Sequence, residues 1–320
     1  MKNRTTLLLL LLLAFLTPLN AQPLSRIEHY SIDHGLAQGV IMGIAQDAKG
    51  YMWFSTWNGL NKFDGYTFQT FKAKSGDGCT LDDNRIEYIA SGKYNRIWCR
   101  TYDLKAYIFC PETETFTDVL KSVPPKEAQV RRLTTFKNGV IWLICDYASC
   151  FRFDETAYKD SAKFEQYSIA KKNIRGDTIY NIVQDSGLDE WILTNKGATI
   201  VGKKQIRSNL PFCHLREVNG EIWLATLDGQ LARYDKRTGN VHTIPLPIPS
   251  VEISALREIG HSTLAIGTQK HGLLLYDISR ESFQTIDLRT PRQPSNEVQT
   301  LYTDQKDILW ISTAPFGVTQ

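Results

Sequence analysis

The pentad Met52-Trp53-Phe54-Ser55-Thr56 decides the fold, because variants of it recur six more times along the 320-residue chain. Each variant is a short apolar segment that normally has Trp in second place and Thr in last place. The second places are held by Trp53, Trp98, Trp142, Trp191, Trp223, Ala265 and Trp310. The copies stand about 45 residues apart, a period typical of radially repeated sheets whose units bury their faces only by stacking on neighbours.

Each copy contains further strand and turn signals. Apolar residues precede the Trp position by twelve and nine residues, as Ile41 and Ile44 do in the first copy. The fifth copy departs from this rule, with Pro211 and His214 in those places. A turn-forming residue such as Gly50 commonly stands three residues before the Trp, as a tight hairpin requires. The pattern predicts an all-β fold, a seven-bladed β-propeller of four-stranded antiparallel blades.

The first residues do not belong to that pattern. Lys2 and Arg4 precede an apolar run from Leu7 to Leu16, and Ala21 offers a small residue at a cleavage site. We therefore expect residues 1–21 to be a secretory signal peptide and residues 22–320 to form the propeller. An uncleaved N-terminal anchor is the alternative, because Leu19 is bulky for its place near the cut. No other stretch is long and apolar enough to span a membrane, so we expect a periplasmic mature chain without a membrane span.

Charge and cysteine content argue against several functional classes. Loss of Lys2 and Arg4 with the leader lowers the formal net charge from +3 to +1, which gives no reason to expect nucleic acid as a partner. The six cysteines show no CxxC pair and no zinc-like spacing, so we expect neither a metal nor a cofactor. Cys145 and Cys150 flank a short turn and can face each other across a hairpin. The favoured interpretation is that most cysteines are small buried hydrophobic residues.

The recurrent tryptophans are interpreted as core residues and not as a carbohydrate platform. A large flat ring at one register, flanked by aliphatic residues, fills the space between adjacent sheets and buries on the order of 200 Å². The sixth copy has Ala265 at this register, so we expect a gap there for a neighbouring side chain to fill.

The first copy carries a family resemblance. The segment Gly35-Leu36-Ala37-Gln38, followed by the run from Ile44 to Tyr66, closely resembles the two-component regulator propeller repeat. The last copy, from Asp304 to Thr313, fits the same repeat. Such repeats form the periplasmic sensor region of hybrid two-component systems, with which gut-dwelling Gram-negative bacteria detect complex glycans. The resemblance covers the mature chain, and it is most specific in the first and last copies.

The resemblance implies a larger receptor, anchored in the inner membrane, with a second propeller, a β-sandwich domain, one membrane helix and a histidine kinase. This chain is then expected to be an N-terminal fragment without catalysis of its own. Its implied partners are an oligosaccharide, the second propeller and a homodimer partner. The segment from Leu24 to Ile32 is expected to pair as the outer strand of the last blade and close the ring. The third strand of that blade starts at Gly317 and is cut off at Gln320, so we expect a truncated last blade.

The turns between the second and third strands of the blades are the expected ligand surface. They carry the aromatic and polar candidates Trp57, Asn58, Tyr102, Asp103, Asp146, Tyr147 and Asp228. An aromatic ring contacts the apolar face of a sugar, and the polar groups bind its hydroxyls. For the Asn and Asp residues, ordinary turn stabilisation is the alternative.

Two other functions stay open. A secreted propeller enzyme, a polysaccharide lyase or hydrolase, needs a carboxylate pair or a His/Tyr/Arg set at the channel. The chain has no GxSxG or HExxH motif, and its six histidines are dispersed. A secreted protein-binding propeller is the third possibility, since the fold alone does not settle function.

Overall fold

The structure is a computed structural model that describes residues 27–73, 81–120, 129–159, 163–249, 251–291 and 293–320. The predicted leader at residues 1–21 and Cys79 lie outside these described residues. Within them, 28 strands form seven sheets of four strands, with short 3-10 turns at Ile32–His34 and Glu155–Ala157. No helix in the described ranges is long and apolar enough to cross a membrane.

The first four blades follow one another along the chain. Blade 1 contains β2 (Ile41–Gln46), β3 (Met52–Thr56), β4 (Gly59–Phe63) and β5 (Phe68–Phe71). Blade 2 contains β6 (Ile86–Ser91), β7 (Ile97–Thr101), β8 (Ala106–Cys110) and β9 (Thr115–Asp118). Blade 3 contains β10 (Arg132–Thr135), β11 (Val140–Ile144), β12 (Ser149–Asp154) and β13 (Glu165–Ser168). Blade 4 contains β14 (Ile179–Gln184), β15 (Glu190–Thr194), β16 (Gly197–Ile200) and β17 (Gln205–Arg207).

The last three blades complete the ring. Blade 5 contains β18 (Phe212–Val218), β19 (Glu221–Thr226), β20 (Leu231–Tyr234) and β21 (Val241–Ile244). Blade 6 contains β22 (Ile253–Ile259), β23 (Thr263–Thr268), β24 (Leu273–Asp277) and β25 (Ser282–Ile286). Blade 7 contains β26 (Val298–Thr303), β27 (Leu309–Thr313), β28 (Val318–Thr319) and, as its outer strand, β1 (His29–Tyr30).

In every sheet the strands pair antiparallel in consecutive order, apart from β1 in blade 7. The first strand of each blade contacts the first strands of its two neighbours, from β2 against β6 round to β26 against β2. These seven strands therefore surround the axis of the ring. The predicted seven-bladed propeller with four antiparallel strands in each blade is confirmed.

The tryptophans of the repeat fill the spaces between blades. All six are at most 3% exposed, and each belongs to a hydrophobic cluster with residues of the following blade. The ring centroid of Trp53 in blade 1, for example, lies 5.5 Å from that of Phe109 in blade 2. Trp310 in blade 7 packs on Phe54 and Phe63 in blade 1 and so joins the two ends of the chain. The interpretation of the tryptophans as core residues is confirmed.

The interface between blades 6 and 7 is built differently. Ala265 stands there in place of Trp and packs with the aliphatic residues Leu273, Val298, Leu301 and Ile311. Neighbouring side chains thus fill the space beside Ala265, as the sequence predicts. Among the described residues, no tryptophan belongs to this cluster.

The N-terminal strand closes the ring as predicted, but it is shorter than the segment from Leu24 to Ile32. His29 pairs with Thr319 and Tyr30 pairs with Val318, after which the chain turns into a 3-10 helix. The hydroxyl of Ser312 in blade 7 donates a hydrogen bond to the carbonyl of Ile41 in blade 1, at 2.7 Å. The first and last strands of the described chain are therefore paired in one sheet, in which β1 is the outer edge strand.

The five described cysteines are free thiols. Cys145 and Cys150 do not bridge the hairpin that they flank, although both are buried. Burial raises the pKa of the Cys145 thiol to about 12. Cys99, Cys145, Cys150 and Cys213 thus behave as small buried residues, whereas Cys110 is partly exposed.

Candidate ligand-binding face

The turns that follow the second strands lie on one face of the ring, because all blades run in the same direction about the axis. On this face three aromatic side chains from consecutive blades are exposed to solvent. Trp57 is 46% exposed, Tyr102 is 51% exposed and Tyr147 is 55% exposed. Large aromatic rings exposed at equivalent places in neighbouring blades offer flat apolar surface to a ligand.

Arginine side chains stack on both tyrosines. The guanidinium carbon of Arg85 lies 4.0 Å from the ring centroid of Tyr102, and that of Arg131 lies 4.2 Å from the ring centroid of Tyr147. Arg131 also donates a hydrogen bond from Nη1 to the hydroxyl of Tyr147, at 3.2 Å. Such cation–π contacts restrict the rings. The face therefore presents positioned aromatic groups with positive charge beside them.

The Arg85 guanidinium is itself held in place. Its Nη2 donates to Oδ2 of Asp83 at 2.6 Å, and its Nε lies 3.1 Å from both carboxylate oxygens. The hydrogen bond from Arg85 lowers the pKa of the Asp83 carboxyl. The Arg85 side chain is exposed and that of Asp83 is partly buried, so this ion pair orients the guanidinium more than it stabilises the fold.

The amide and one acid of the predicted set stabilise their own turns. Asn58 donates from Nδ2 to the carbonyl of Ala37 at 3.2 Å, which ties the turn to the entry of blade 1. Asp146 accepts hydrogen bonds from the amide of Ala148 and the hydroxyl of Ser149, both at 2.7 Å. These contacts agree with the turn-stabilising alternative.

The other two acids have similar surroundings. Asp103 accepts a hydrogen bond from the hydroxyl of Thr101 at 2.5 Å, and the ammonium of Lys105 lies 3.6 Å from its second oxygen. Asp228 accepts from the side-chain amide of Gln230 at 3.1 Å. All seven predicted site residues thus lie in turns on the same face, and the three aromatic ones expose ring surface to solvent. Their role in ligand binding stays a prediction.

Sequence reasoning did not select Arg85 and Arg131. Both stand just before the first strand of a blade, at Ile86 and Arg132. The connections between blades emerge on the same face as the turns after the second strands, so the place of these arginines in the repeat was the available signal. Their stacking on the tyrosines depends on side-chain directions that the sequence does not reveal.

A separate cavity of about 1270 Å³ lies beside the closing strand, at the outer side of the interface between blades 6 and 7. Its lining includes Ile286, Leu288, Ile311, Phe316 and His29. Burial lowers the pKa of the His29 imidazole. Across the described ranges, no group of three or more His, Cys, Asp or Glu residues is arranged to hold a metal ion.

Comparison with protein families identifies the first copy of the repeat. The model described as "Two component regulator propeller" matches residues 35–58. A curated relative, "Histidine kinase P4" of Formosa agariphila, is 40% identical over 47 residues, which are 15% of this chain and 3% of that protein. The chain therefore spans only a small part of the length of this relative.

Solved structures with the same fold cover the ring as a whole. The extracellular domain assigned to the hybrid two component system BT3049 of B. thetaiotaomicron superposes with a TM-score of 0.74 at 21% identity, over 92% of this chain and 41% of that one. The corresponding domain of BT4673 gives 0.73 at 20% identity, over 92% and 39%. Virginiamycin B lyase from Staphylococcus aureus gives 0.72 at 12% identity, over 92% and 98%. At these identities the likeness establishes the fold alone.

The family match falls on the blade that carries Trp57, from the segment just before β2 to the turn after β3. Segment 35–58 of this seven-bladed propeller is thus similar to a two-component regulator propeller repeat.

Proposed function

We propose that this propeller is the periplasmic ligand-sensing region of a hybrid two-component receptor, which responds to an oligosaccharide and signals to a histidine kinase outside this chain. The match of residues 35–58 to the two component regulator propeller model is the observation that carries the proposal. The likeness of the whole ring to extracellular domains assigned to such systems supports it.

Ligand binding is proposed for the face that carries Trp57, Tyr102 and Tyr147. An exposed aromatic ring contacts the C–H groups of a sugar, and burial of this surface is favourable because both partners are apolar there. Arg85 and Arg131 hold two of the rings, so a ligand meets a surface that is already ordered. Preorganisation of this kind lowers the entropic cost of binding.

Signalling is proposed to run through packing between this propeller and its neighbours in the receptor, namely a second propeller and a homodimer partner. A ligand shifts such an equilibrium only by its difference in affinity for the two arrangements. A ligand that binds this face has different affinities for the two arrangements if the face also contacts the second propeller or the homodimer partner. The fold likeness to virginiamycin B lyase gives no catalytic residue, so we propose no reaction for these residues.

Binding is tested by titration calorimetry with oligosaccharides that are first selected on a glycan array. Trp57→Ala, Tyr102→Ala and Tyr147→Ala are each expected to weaken binding about tenfold, the loss typical of a central aromatic contact. The matched control is Tyr66→Ala, since Tyr66 is 91% exposed but lies in the turn between β4 and β5, at the opposite end of the strands. Equal losses in the control, or unchanged affinity in all three variants, would contradict the proposed face.

The same samples separate recognition from catalysis. After incubation with the selected oligosaccharides, new reducing ends and new unsaturated sugars are measured. We expect neither to appear above the level of a blank without protein. Turnover that disappears with substitutions at the channel would favour the propeller enzyme instead.

A further inference from the structure

The inner strands bring several cationic and phenolic side chains to the axis of the ring. Tyr88 lies on β6, Arg132 on β10, His214 on β18, Arg257 on β22 and Tyr302 on β26. All five are partly exposed, and all lie on the strands that surround the axis. We call these five residues the channel cluster.

Members of the channel cluster interact across the ring and not only with adjacent blades. The charge of Arg257 in blade 6 interacts with Tyr88 in blade 2 and with Arg132 in blade 3. The charge of Arg132 also lowers the pKa of the His214 imidazole in blade 5. Blades 2 and 3 are not neighbours of blade 6, but all these residues lie on the strands that surround the axis, so their side chains can approach one another inside the ring.

The two arginines have no acidic partner in the described part of the chain, where neither forms an ion pair. Arg132 donates from Nη2 to the hydroxyl of Tyr88 at 2.5 Å, and its buried Nε has no hydrogen-bond partner. Arg257 donates from Nη1 to the carbonyl of Leu256 at 3.0 Å. Burial lowers the pKa of the Arg257 guanidinium, and the charge of Arg132 acts in the same direction.

Two guanidinium groups that repel each other without a counter-charge are unfavourable in a partly buried space. Buried polar atoms in native proteins are nearly always hydrogen-bonded, so the buried and unpaired Nε of Arg132 calls for a partner. An anion is the partner that satisfies both the charge and the free N–H groups.

The two phenols complete the arrangement with neutral donors. The hydroxyl of Tyr88 accepts the hydrogen bond from Arg132, and that of Tyr302 accepts one from the backbone amide of Gln46 at 3.2 Å. Each oxygen is thus oriented by a protein donor, and each hydroxyl keeps its own hydrogen as a donor for a further acceptor. Burial raises the pKa of the Tyr302 hydroxyl, which keeps that hydrogen in place at neutral pH.

We propose that the central channel binds an oxyanion, a sulfate, phosphate or carboxylate group, between Arg132 and Arg257, with the hydroxyls of Tyr88 and Tyr302 as further donors. This site lies inside the ring and is distinct from the aromatic face. It does not depend on the proposed sensing function, because a free inorganic anion suffices to occupy it.

His214 provides a spectroscopic reporter of occupancy. Its Nε2 lies 3.1 Å from the carbonyl of Ile253, and burial lowers the pKa of the imidazole to about 3, with added effects of Arg132 and Arg257. An anion that neutralises the two arginines removes their repulsion of a protonated His214 imidazole. Binding of sulfate should therefore shift the imidazole resonances of His214 and raise its pKa.

The test measures sulfate binding by calorimetry and by the sulfate dependence of the melting temperature, at ionic strength matched with sodium chloride. The intact chain is expected to bind sulfate and to melt at a higher temperature as sulfate rises. Arg257→Gln and Arg132→Gln are each expected to weaken binding at least tenfold and to reduce the His214 shift. Arg237→Gln is the control, because Arg237 is an exposed turn residue on the outer part of blade 5.

A second comparison separates the anionic group from the sugar that can carry it. Glucuronate and glucose have the same ring and differ by one carboxylate, so glucuronate should raise the melting temperature and glucose should not. Equal sulfate affinity in both channel variants and the intact chain overturns the proposal, and so does the absence of sulfate binding. If the intact chain binds sulfate but none of the selected oligosaccharides, only the sensing proposal is overturned.

Discussion

The indole N–H of Trp98 in blade 2 donates a hydrogen bond to Oε1 of Glu155 in blade 3, at 2.9 Å. Oε2 of the same carboxylate accepts the backbone amide of Lys93 at 2.7 Å. Glu155 is fully buried, and it lies directly after the third strand of its own blade. One carboxylate therefore fastens two adjacent blades through both of its oxygens.

Replacement of Glu155 should reveal how much this contact contributes. Glu155→Ala leaves the Trp98 indole and the Lys93 amide without acceptors in a buried place, so we expect a loss of about 3 kcal/mol in the free energy of unfolding. Urea unfolding followed by tryptophan fluorescence measures it. Glu252→Ala is the control, because Glu252 is exposed and should change stability by less than about 0.5 kcal/mol. A similar small change for Glu155→Ala would show that the interface does not depend on this carboxylate.

The tryptophans differ in how their indole N–H groups are satisfied. Trp191 donates to Oδ2 of Asp185 at 3.0 Å, whereas the buried Nε1 of Trp223 has no partner among the described residues. Trp191→Phe and Trp223→Phe remove the same volume, but only the first also breaks a hydrogen bond to a carboxylate. We expect Trp191→Phe to lower the free energy of unfolding by about 2 kcal/mol more than Trp223→Phe. Equal losses in the two variants would refute this explanation.

Closure of the ring depends on a close backbone approach at Gly317. Its φ is +102°, and a Cβ atom there would lie 2.1 Å from the carbonyl oxygen of Tyr30 in β1. Gly65 has nearly the same φ, +101°, but open space around it. Gly65→Ala should thus cost about 1 kcal/mol through backbone strain alone, and Gly317→Ala should cost more because the clash displaces β1.

Hydrogen exchange at the amides of β1 and β28, together with urea unfolding, distinguishes these two effects. Faster exchange confined to these strands is expected in Gly317→Ala and not in Gly65→Ala. If both variants keep native exchange in β1 and β28, the closing strand tolerates a side chain at this position, and the clash argument is wrong.

The buried thiols should resist modification in the folded protein. Burial raises the pKa of Cys145 and of Cys213 to about 12, so the reactive thiolate is only on the order of one molecule in ten thousand at pH 8. Alkylation with iodoacetamide, read by peptide mass spectrometry, should label Cys110 first, since that side chain is partly exposed. All described cysteines should react in urea, and labelling of Cys145 as fast as Cys110 in native buffer would contradict their burial.

The repeat made the fold predictable from particular residues. The spacing of the Trp pentads gave the number of blades, and the apolar pairs such as Ile41 and Ile44 gave their inner strands. Local periodicity carries this information because strands and tight turns are set by neighbours in sequence. The place of Trp57, Tyr102 and Tyr147 on one face followed from the same repeat, as did the part of the N-terminal segment that closes blade 7.

Other features depend on contacts between residues far apart in sequence. Three indole N–H groups donate a hydrogen bond to an Asp that stands six residues earlier in the same blade, namely those of Trp53, Trp191 and Trp310. A fixed spacing of this kind can be recognised in the sequence. Trp98 and Trp142 instead bond Glu155 and Glu190 from the following blade. No linear signal predicts this choice of acceptor, because it depends on where the next sheet places a carboxylate.

The sequence by itself determined that this chain is a ring of seven antiparallel sheets, since the alternation and period of its apolar residues allow no other way to bury them. Only the tertiary structure decided which charges meet. Closing the ring brings Arg132 and Arg257, which are 125 positions apart, to strands around one channel, and it leaves Tyr102 and Tyr147 stacked by arginines on the face that carries the turns after the second strands. Side-chain convergence across an axis is a property of the closed ring, so it has no counterpart in any one repeat.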